Sequence, residues 1–214
     1  MLEIKKLEVN PLQENCYVVS DETQECVIID CGALFVAERK AVTNYILKHN
    51  LKPVHLLNTH LHFDHVWGNS YIYSEWGLMT EASSRDQFLY DDVPGQVRNF
   101  VGGHWQEPFF APLGRNLEEN DVITFGSHQL EVIATPGHTP GGICFYCEKE
   151  KVLFSGDSLF QCSIGRTDFP GSSAMDLLEA LRNKILTLPD DTKVYTGHGP
   201  STDIKTERNY NPYI

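Results

Sequence analysis

Apolar and polar positions in the first third of the chain alternate in short, β-branched-rich stretches. Residues 4–9, 16–20 and 26–29 are separated by polar turns and predict three strands, the last broken by Asp30-Cys31-Gly32. From 34 to 49 the apolar positions Ala37, Ala41, Tyr45 and Leu47 recur at the spacing of an amphipathic helix. After Pro53, Val54-His55-Leu56-Leu57 reads as a short buried strand. The second half repeats the rhythm. Strands are predicted at 121–124 and 129–134, then a hairpin of 142–147 and 151–154 across Glu148-Lys149-Glu150. Ser173-Ala174-Met175-Asp176 forms a capping box that opens a helix to about residue 186, stopped before Pro189, and 194–196 is a last strand. Two successive strand-rich halves, each ending in a helix, predict two sheets packed together with helices outside, in one domain spanning 1–214.

Residues 91–116 break the rhythm. Pro94, Gly95, Gly102, Gly103, Pro108, Pro112 and Gly114 are too many breakers for a regular element, while Phe100, Trp105, Phe109 and Phe110 are too aromatic for disorder. The expectation is an ordered loop without regular structure, a candidate lid for an active site.

Composition narrows the classes. With 41% apolar and 21% charged residues the chain is an ordinary globular protein, and its formal charge of −12 argues against a nucleic-acid partner, which needs a basic surface. No apolar run approaches the roughly eighteen residues of a membrane span, and the N-terminus lacks a signal-peptide layout, so a cytoplasmic protein without a membrane partner is expected. Six scattered cysteines do not make a disulfide scaffold. The Cys144/Cys147 pair falls in a strand-like run without a second ligand pair, and all six read as reduced thiols. Oligomeric state leaves no signal in the sequence.

Chemistry concentrates in Thr59-His60-Leu61-His62-Phe63-Asp64-His65, directly after the buried strand. His60 and His62, two residues apart in extended backbone, point the same way and can reach one metal ion, while Asp64 and His65 can turn toward a second. Imidazole with carboxylate suits zinc or iron rather than calcium or magnesium. A single histidine is ordinarily a surface or core residue, a reading that covers His49, His55, His104 and His128. Three histidines and an aspartate within six residues are different, since burying them without an ion would cost several kcal/mol in unpaired polar groups. His138 in Thr135-Pro136-Gly137-His138-Thr139-Pro140-Gly141, Asp157 in Ser155-Gly156-Asp157-Ser158 and His198 in Thr196-Gly197-His198-Gly199 each follow a predicted strand beside a glycine, so all can converge at one sandwich edge.

This H-x-H-x-D-H run with the later His138, Asp157 and His198 resembles the metallo-β-lactamase superfamily over nearly the whole chain. The resemblance implies a four-layer αββα sandwich. It implies that His60, His62 and His138 hold one divalent ion, that Asp64, His65 and His198 hold the other, and that Asp157 bridges them. The ions are expected to be zinc, with iron or manganese as alternatives. A metal-bridging hydroxide, oriented by Asp64, is the implied nucleophile. Two dipositive ions less two carboxylates and one hydroxide leave a single positive charge, so a small anionic substrate is admitted inside an acidic protein.

Branches of the superfamily separate on particular positions. Lactamases of the best-known type resemble this chain except for a cysteine where Asp157 stands, and flavo-diiron members have a glutamate in place of His62. What remains resembles the thioesterase-like members. Ser163-Ile164-Gly165-Arg166-Thr167-Asp168-Phe169-Pro170-Gly171 is similar to the segment after the bridging aspartate in single-domain glyoxalase II-like hydrolases, whose reaction is hydrolysis of an acyl thioester such as lactoylglutathione. The same run is similar to the persulfide dioxygenases, which use a single iron, and that oxidoreductase is the alternative. Arg166 and Asp168 read as an ion pair bracing the metal loop. Standard glyoxalase II enzymes carry a further C-terminal helical domain with basic residues for glutathione; here 201–214 reads as a solvated tail with Lys205 and Arg208, so the identity of the thiol stays open. Tyr17, Trp67, Trp105 and Tyr195 read as core residues rather than pocket walls.

Overall fold

The computed structural model describes residues 1–102 and 111–214. The first sheet runs in spatial order through β1 (Glu3–Val9), β2 (Glu14–Ser20), β3 (Glu25–Ile29), β4 (Lys52–Leu57), β5 (Thr80–Ala82) and β6 (Leu113–Asn116). The second contains β7 (Val122–Phe125), β8 (His128–Ala134), β9 (Ile143–Cys147), β10 (Val152–Gly156), β13 (Lys193–Thr196) and β14 (Thr202–Asp203), ordered β14-β13-β10-β9-β8-β7. A small ribbon of β11 (Leu159–Phe160) and β12 (Ser163–Ile164) follows Asp157. The helices are α1 (Val36–Lys48), α2 (Phe63–Val66), α3 (Asn69–Trp76), α4 (Gln87–Asp91), α5 (Val93–Val101), α6 (Ala174–Asn183) and α7 (Ile204–Tyr210). No helix among the described residues is long and apolar enough to cross a membrane.

The layers follow from the two-residue period of the strands. Tyr17, Val19, Val27, Ile29 and Leu57 face the second sheet and pack against Phe125, Leu130, Val132, Phe145 and Phe154. Their neighbours Cys16, Val18, Cys26, Ile28 and Leu56 face outward and are covered by Val42 and Ile46 of α1 and Ile72 of α3. On the far side Cys144, Tyr146, Leu153 and Val194 are covered by Leu177 and Leu181 of α6. Helix, sheet, sheet, helix is therefore the observed layering, and the αββα sandwich is the fold. Cys144 and Cys147 lie on β9 as expected, and all six cysteines are free thiols.

Three expectations fail. The 91–116 segment is not an irregular loop: Asp92 caps α5, Pro94 sits in its first turn, Gly102 ends it at φ 65°, and β6 joins the sheet beside β5. Residues 103–110, including His104 and Trp105, lie outside the described residues. In α1 the buried face is Val42 and Ile46, whereas Ala37, Ala41 and Leu47 are exposed. The 201–214 segment is no solvated tail. Ile204 and Glu207 of α7 are buried, and the Arg208 guanidinium donates to the carbonyls of Leu186 and Leu188 and pairs with Asp190.

Candidate metal centre

All seven predicted residues meet at one edge of the sandwich, each delivered by a strand end. The loop after β4 carries His60 and His62, α2 carries Asp64 and His65, and the turns after β8, β10 and β13 carry His138, Asp157 and His198. The first sheet holds the last turn in place. Glu14 forms an isolated bridge with His198, Asn15 N–H donates to Gly197 O at 2.8 Å, and the Tyr17 hydroxyl donates to Thr196 O at 2.7 Å. A Cβ at Gly197 would lie 2.2 Å from Asp157 Oδ1, so only glycine lets this turn approach the centre.

The donor atoms form triads whose members lie within 4.8 Å of one another: His60, His62 and His138; Asp64, His65 and His198; and His60, His65 and Asp157. His62 Nδ1 and His138 Nε2 are 3.0 Å apart, His198 Nε2 and Asp64 Oδ2 3.3 Å, and His65 Nε2 and Asp157 Oδ1 3.4 Å. Ligands at ~2.0–2.1 Å on a tetrahedral ion stand ~3.3 Å apart, so these edges suit a divalent transition ion. Asp157 Oδ2 lies 3.6 Å from His138 and 3.7 Å from His198, between the two triads. The decisive observation for fit is what stays unsatisfied: His60 Nε2 is buried without a hydrogen bond, and His65 Nε2 and Asp157 Oδ1, also buried, face each other only as an ion pair without an aligned hydrogen bond. An unpartnered atom such as His60 Nε2 costs about 1–3 kcal/mol unless something binds it.

The opposite ring nitrogens of His138, His198 and His60 are hydrogen-bonded, which fixes their tautomers. His138 Nδ1 donates to Arg166 O at 2.8 Å and His198 Nδ1 to Leu12 O at 3.0 Å. His60 Nδ1 meets the Thr59 hydroxyl at 3.1 Å, and that hydroxyl donates to Asp30 Oδ2 at 2.7 Å. His65 Nδ1 lies 3.2 Å from the same Asp30 oxygen, in ion-pair range though poorly aligned for a hydrogen bond. Four imidazoles thereby turn Nε2 inward toward the other members of the cluster, an arrangement characteristic of metal-ligating histidine. From the sequence Asp30, at the end of β3, reads only as a strand break; its contacts with Thr59 and His65 come from the fold. Buried Glu14, 4.0 Å from His65 Nδ1, left no signal at all.

Electrostatics divide the cluster. Burial, with the neighbouring His65, pushes the His60 imidazole well below its ordinary pKa, and burial with His138 brings His62 down to about 3. Burial opposes the charge on His65, yet Asp157, Asp64 and Asp30 hold its pKa well above the usual value. Burial also disfavours the Asp157 carboxylate, and His65 and His198 outweigh it and hold its pKa far below the usual range. His60 and His62 are thus neutral nitrogen donors, while His65 on the other side is paired with ionised carboxylates that favour its charged form.

The centre opens on a cavity of about 510 Å³ walled by Leu12, Phe63, Phe100, Phe160, Ile164 and Phe169. Arg166 lines it too, its guanidinium paired to both Asp168 oxygens at 2.7 Å and stacked 4.1 Å over Phe169. Tyr17 and Trp67 are buried in hydrophobic clusters, as expected, and Tyr195 packs against one.

The metallo-β-lactamase superfamily profile matches residues 9–198. Hydroxyacylglutathione hydrolase GloC of Haemophilus influenzae is 36% identical over 214 residues, covering 100% of this chain and 98% of that protein. Among solved structures, the BLEG-1 B3 metallo-β-lactamase superposes with a TM-score of 0.89 at 34% identity, over 99% of each chain. TTHA1623 in a di-iron-bound form superposes with a TM-score of 0.86 at 34% identity, over 98% of this chain and 100% of that one. With its fold, its seven converging residues and this extent of match, the chain belongs to the metallo-β-lactamase superfamily.

Proposed function

We propose that the protein is a binuclear metal-dependent hydrolase of acyl thioesters. His60, His62 and His138 hold one divalent ion, Asp64, His65 and His198 hold the second, and Asp157 lies between them. One observation carries the reading: two donor triads joined by Asp157, with inward atoms that lack hydrogen bonds, open on an apolar cavity. When bound, two such ions polarise a carbonyl and supply a hydroxide near neutral pH.

The residues contribute the rest. Asp64, on the cavity wall and held ionised by His65 and His198 against its burial, orients the attacking water through a carboxylate oxygen. The aromatic wall of Phe63, Phe100 and Phe169 excludes bulk water from the carbonyl. Apart from the metal-binding set, the described lining residues include no histidine, carboxylic acid or lysine to protonate a leaving group. A thiolate, with a parent thiol pKa near ~8.5, leaves without that help, whereas an amine does not. The lack of such an acid among the described lining residues favours a thioester over an amide, and the hydroxyacylglutathione hydrolase relative supports the same class.

The test is kcat/KM of the zinc-loaded protein on S-lactoylglutathione, on a simple aryl thioester and on a β-lactam, the last because one structural neighbour is a lactamase. Thioesters turned over at least a hundredfold faster than the β-lactam support the proposal; the reverse order refutes it. The resemblance of Gly165–Phe169 to persulfide dioxygenases makes one iron and persulfide-dependent oxygen uptake the opposing outcome.

A further inference from the structure

The loop between β4 and α2 carries His60 and His62, and it is gripped from the side by residues that follow β5. Asp86 is fully buried there. Its Oδ2 accepts from Leu61 N–H at 3.3 Å and from the Thr139 hydroxyl at 2.7 Å, and its Oδ1 accepts from Gly141 N–H at 2.6 Å. Leu61 separates His60 from His62, and Thr139 and Gly141 follow His138. A single carboxylate therefore ties together the segments bearing all three nitrogen donors of the first triad.

Gln96 of α5 completes the grip. Its Oε1 accepts from Phe63 N–H at 3.2 Å, and its Nε2 donates to Leu61 O at 3.3 Å and to Leu89 O at 2.7 Å. Both backbone groups of Leu61 are thus held by side chains from the segment between β5 and β6. The approach is close enough to dictate sequence elsewhere. A Cβ at Gly141 would lie 2.6 Å from Asp86 Cγ, so the glycine closing the Thr-Pro-Gly-His-Thr-Pro-Gly motif is required by this carboxylate. A buried carboxylate is expensive unless its bonds are made, and here three donors from two loops make them.

We infer that Asp86, with Gln96 across the loop, is a positioning residue for the first triad. It sets the spacing between the His60/His62 pair and His138, and through it the affinity of that triad for its ion, without touching ion or substrate. The inference rests on the two-ion reading.

The experiment is titration of the metal-free full chain with zinc against a chromophoric chelator, beside thermal melting of the metal-free protein. Asp86→Asn keeps the shape but replaces one acceptor oxygen with a donor. It is expected to weaken one zinc equivalent roughly ten- to hundredfold, leave the other within about threefold, and lower the metal-free melting temperature by no more than about 10 °C, with the cooperative melt retained. Thr139→Val and Gln96→Met weaken the same equivalent by roughly three- to tenfold, and Thr139→Ser restores it. Unchanged affinities in Asp86→Asn and Thr139→Val overturn the inference. So does a parallel loss at both equivalents together with a collapsed metal-free melt, which marks general packing. If Asp86→Asn does not fold, Thr139→Val and Gln96→Met decide by the same criteria. A wild type that takes up one equivalent refutes the two-ion reading instead, and the variants are then read on that equivalent.

Discussion

Two buried clusters of histidine and carboxylate occupy opposite ends of the same strands, and they differ in one respect. At the turn end, His128 Nδ1 meets Asp21 Oδ2 at 2.9 Å and its Nε2 meets Glu150 Oε1 at 3.1 Å. Asp21 is further held by Ser127 N–H at 2.6 Å and by the Thr23 hydroxyl at 2.6 Å. Neither ring nitrogen of His128 is left over. At the other end, His60 turns an Nε2 inward that meets nothing, and His65 Nε2 and Asp157 Oδ1 face only each other, without an aligned hydrogen bond. Both clusters contain a geometry that could hold an ion, and proximity alone does not separate them. Satisfaction does: a network that closes on itself is a fastener, and one that leaves donors facing a common point awaits a ligand.

The largest expected break comes at the open end. Asp64→Ala should lower thioester kcat/KM by roughly a thousandfold or more, with a melting temperature within a few degrees of wild type. Activity within twofold of wild type would remove Asp64 from the mechanism.

The closed end should respond oppositely. His128→Leu leaves the buried Asp21 carboxylate without its ion-pair partner, an expected loss of about 3 kcal/mol and a melting temperature lower by roughly 6–12 °C. Metal content and kcat at low temperature should stay as in wild type. A fall in bound metal would show that the two ends are not independent.

Acid sharpens the contrast further. Burial disfavours the Asp21 carboxylate, but bonds from Thr23, His128 and Ser127 outweigh it and hold its pKa below the ordinary value. A folded-state pKa below the unfolded one contributes stability that is present above ~4 and is lost as pH falls through the folded value. The gap in melting temperature between wild type and Asp21→Asn should therefore shrink as pH drops below about 4. A gap constant down to about pH 2.5 would count against the ion-pair account.

The smallest effect concerns the cavity wall. Phe169 contacts the His62 ring at 5.4 Å between centroids and carries the Arg166 guanidinium. Phe169→Ala should raise KM several-fold for aryl thioesters while leaving metal content unchanged. An unaltered KM on every thioester would make this wall mere packing.

The open cluster was legible in the sequence because its ligands are dense in type and regular in place. His60 to His65 crowd one loop, and His138, Asp157 and His198 each follow a strand beside a glycine. The residues that hold them were not legible. Asp30, Glu14, Asp86 and Gln96 are single polar residues whose partners lie far along the chain, and tertiary contact alone assigns their roles. The misread helical segment teaches a related lesson: Asp92, Pro94 and Gly102 are cap signals that a count of helix breakers conceals. In α1 both Ala37/Ala41 and Val42/Ile46 have helical spacing, and the sheet beneath selects the larger pair.

The central claim is that the open end holds two ions. Metal analysis of protein purified without added metal, with the same sample assayed on a thioester, tests it most directly. Close to two ions per chain, zinc for the most part, with thioester hydrolysis that a chelator abolishes and metal restores, is the predicted result. One iron per chain, no thioesterase activity and oxygen uptake with a persulfide would contradict it.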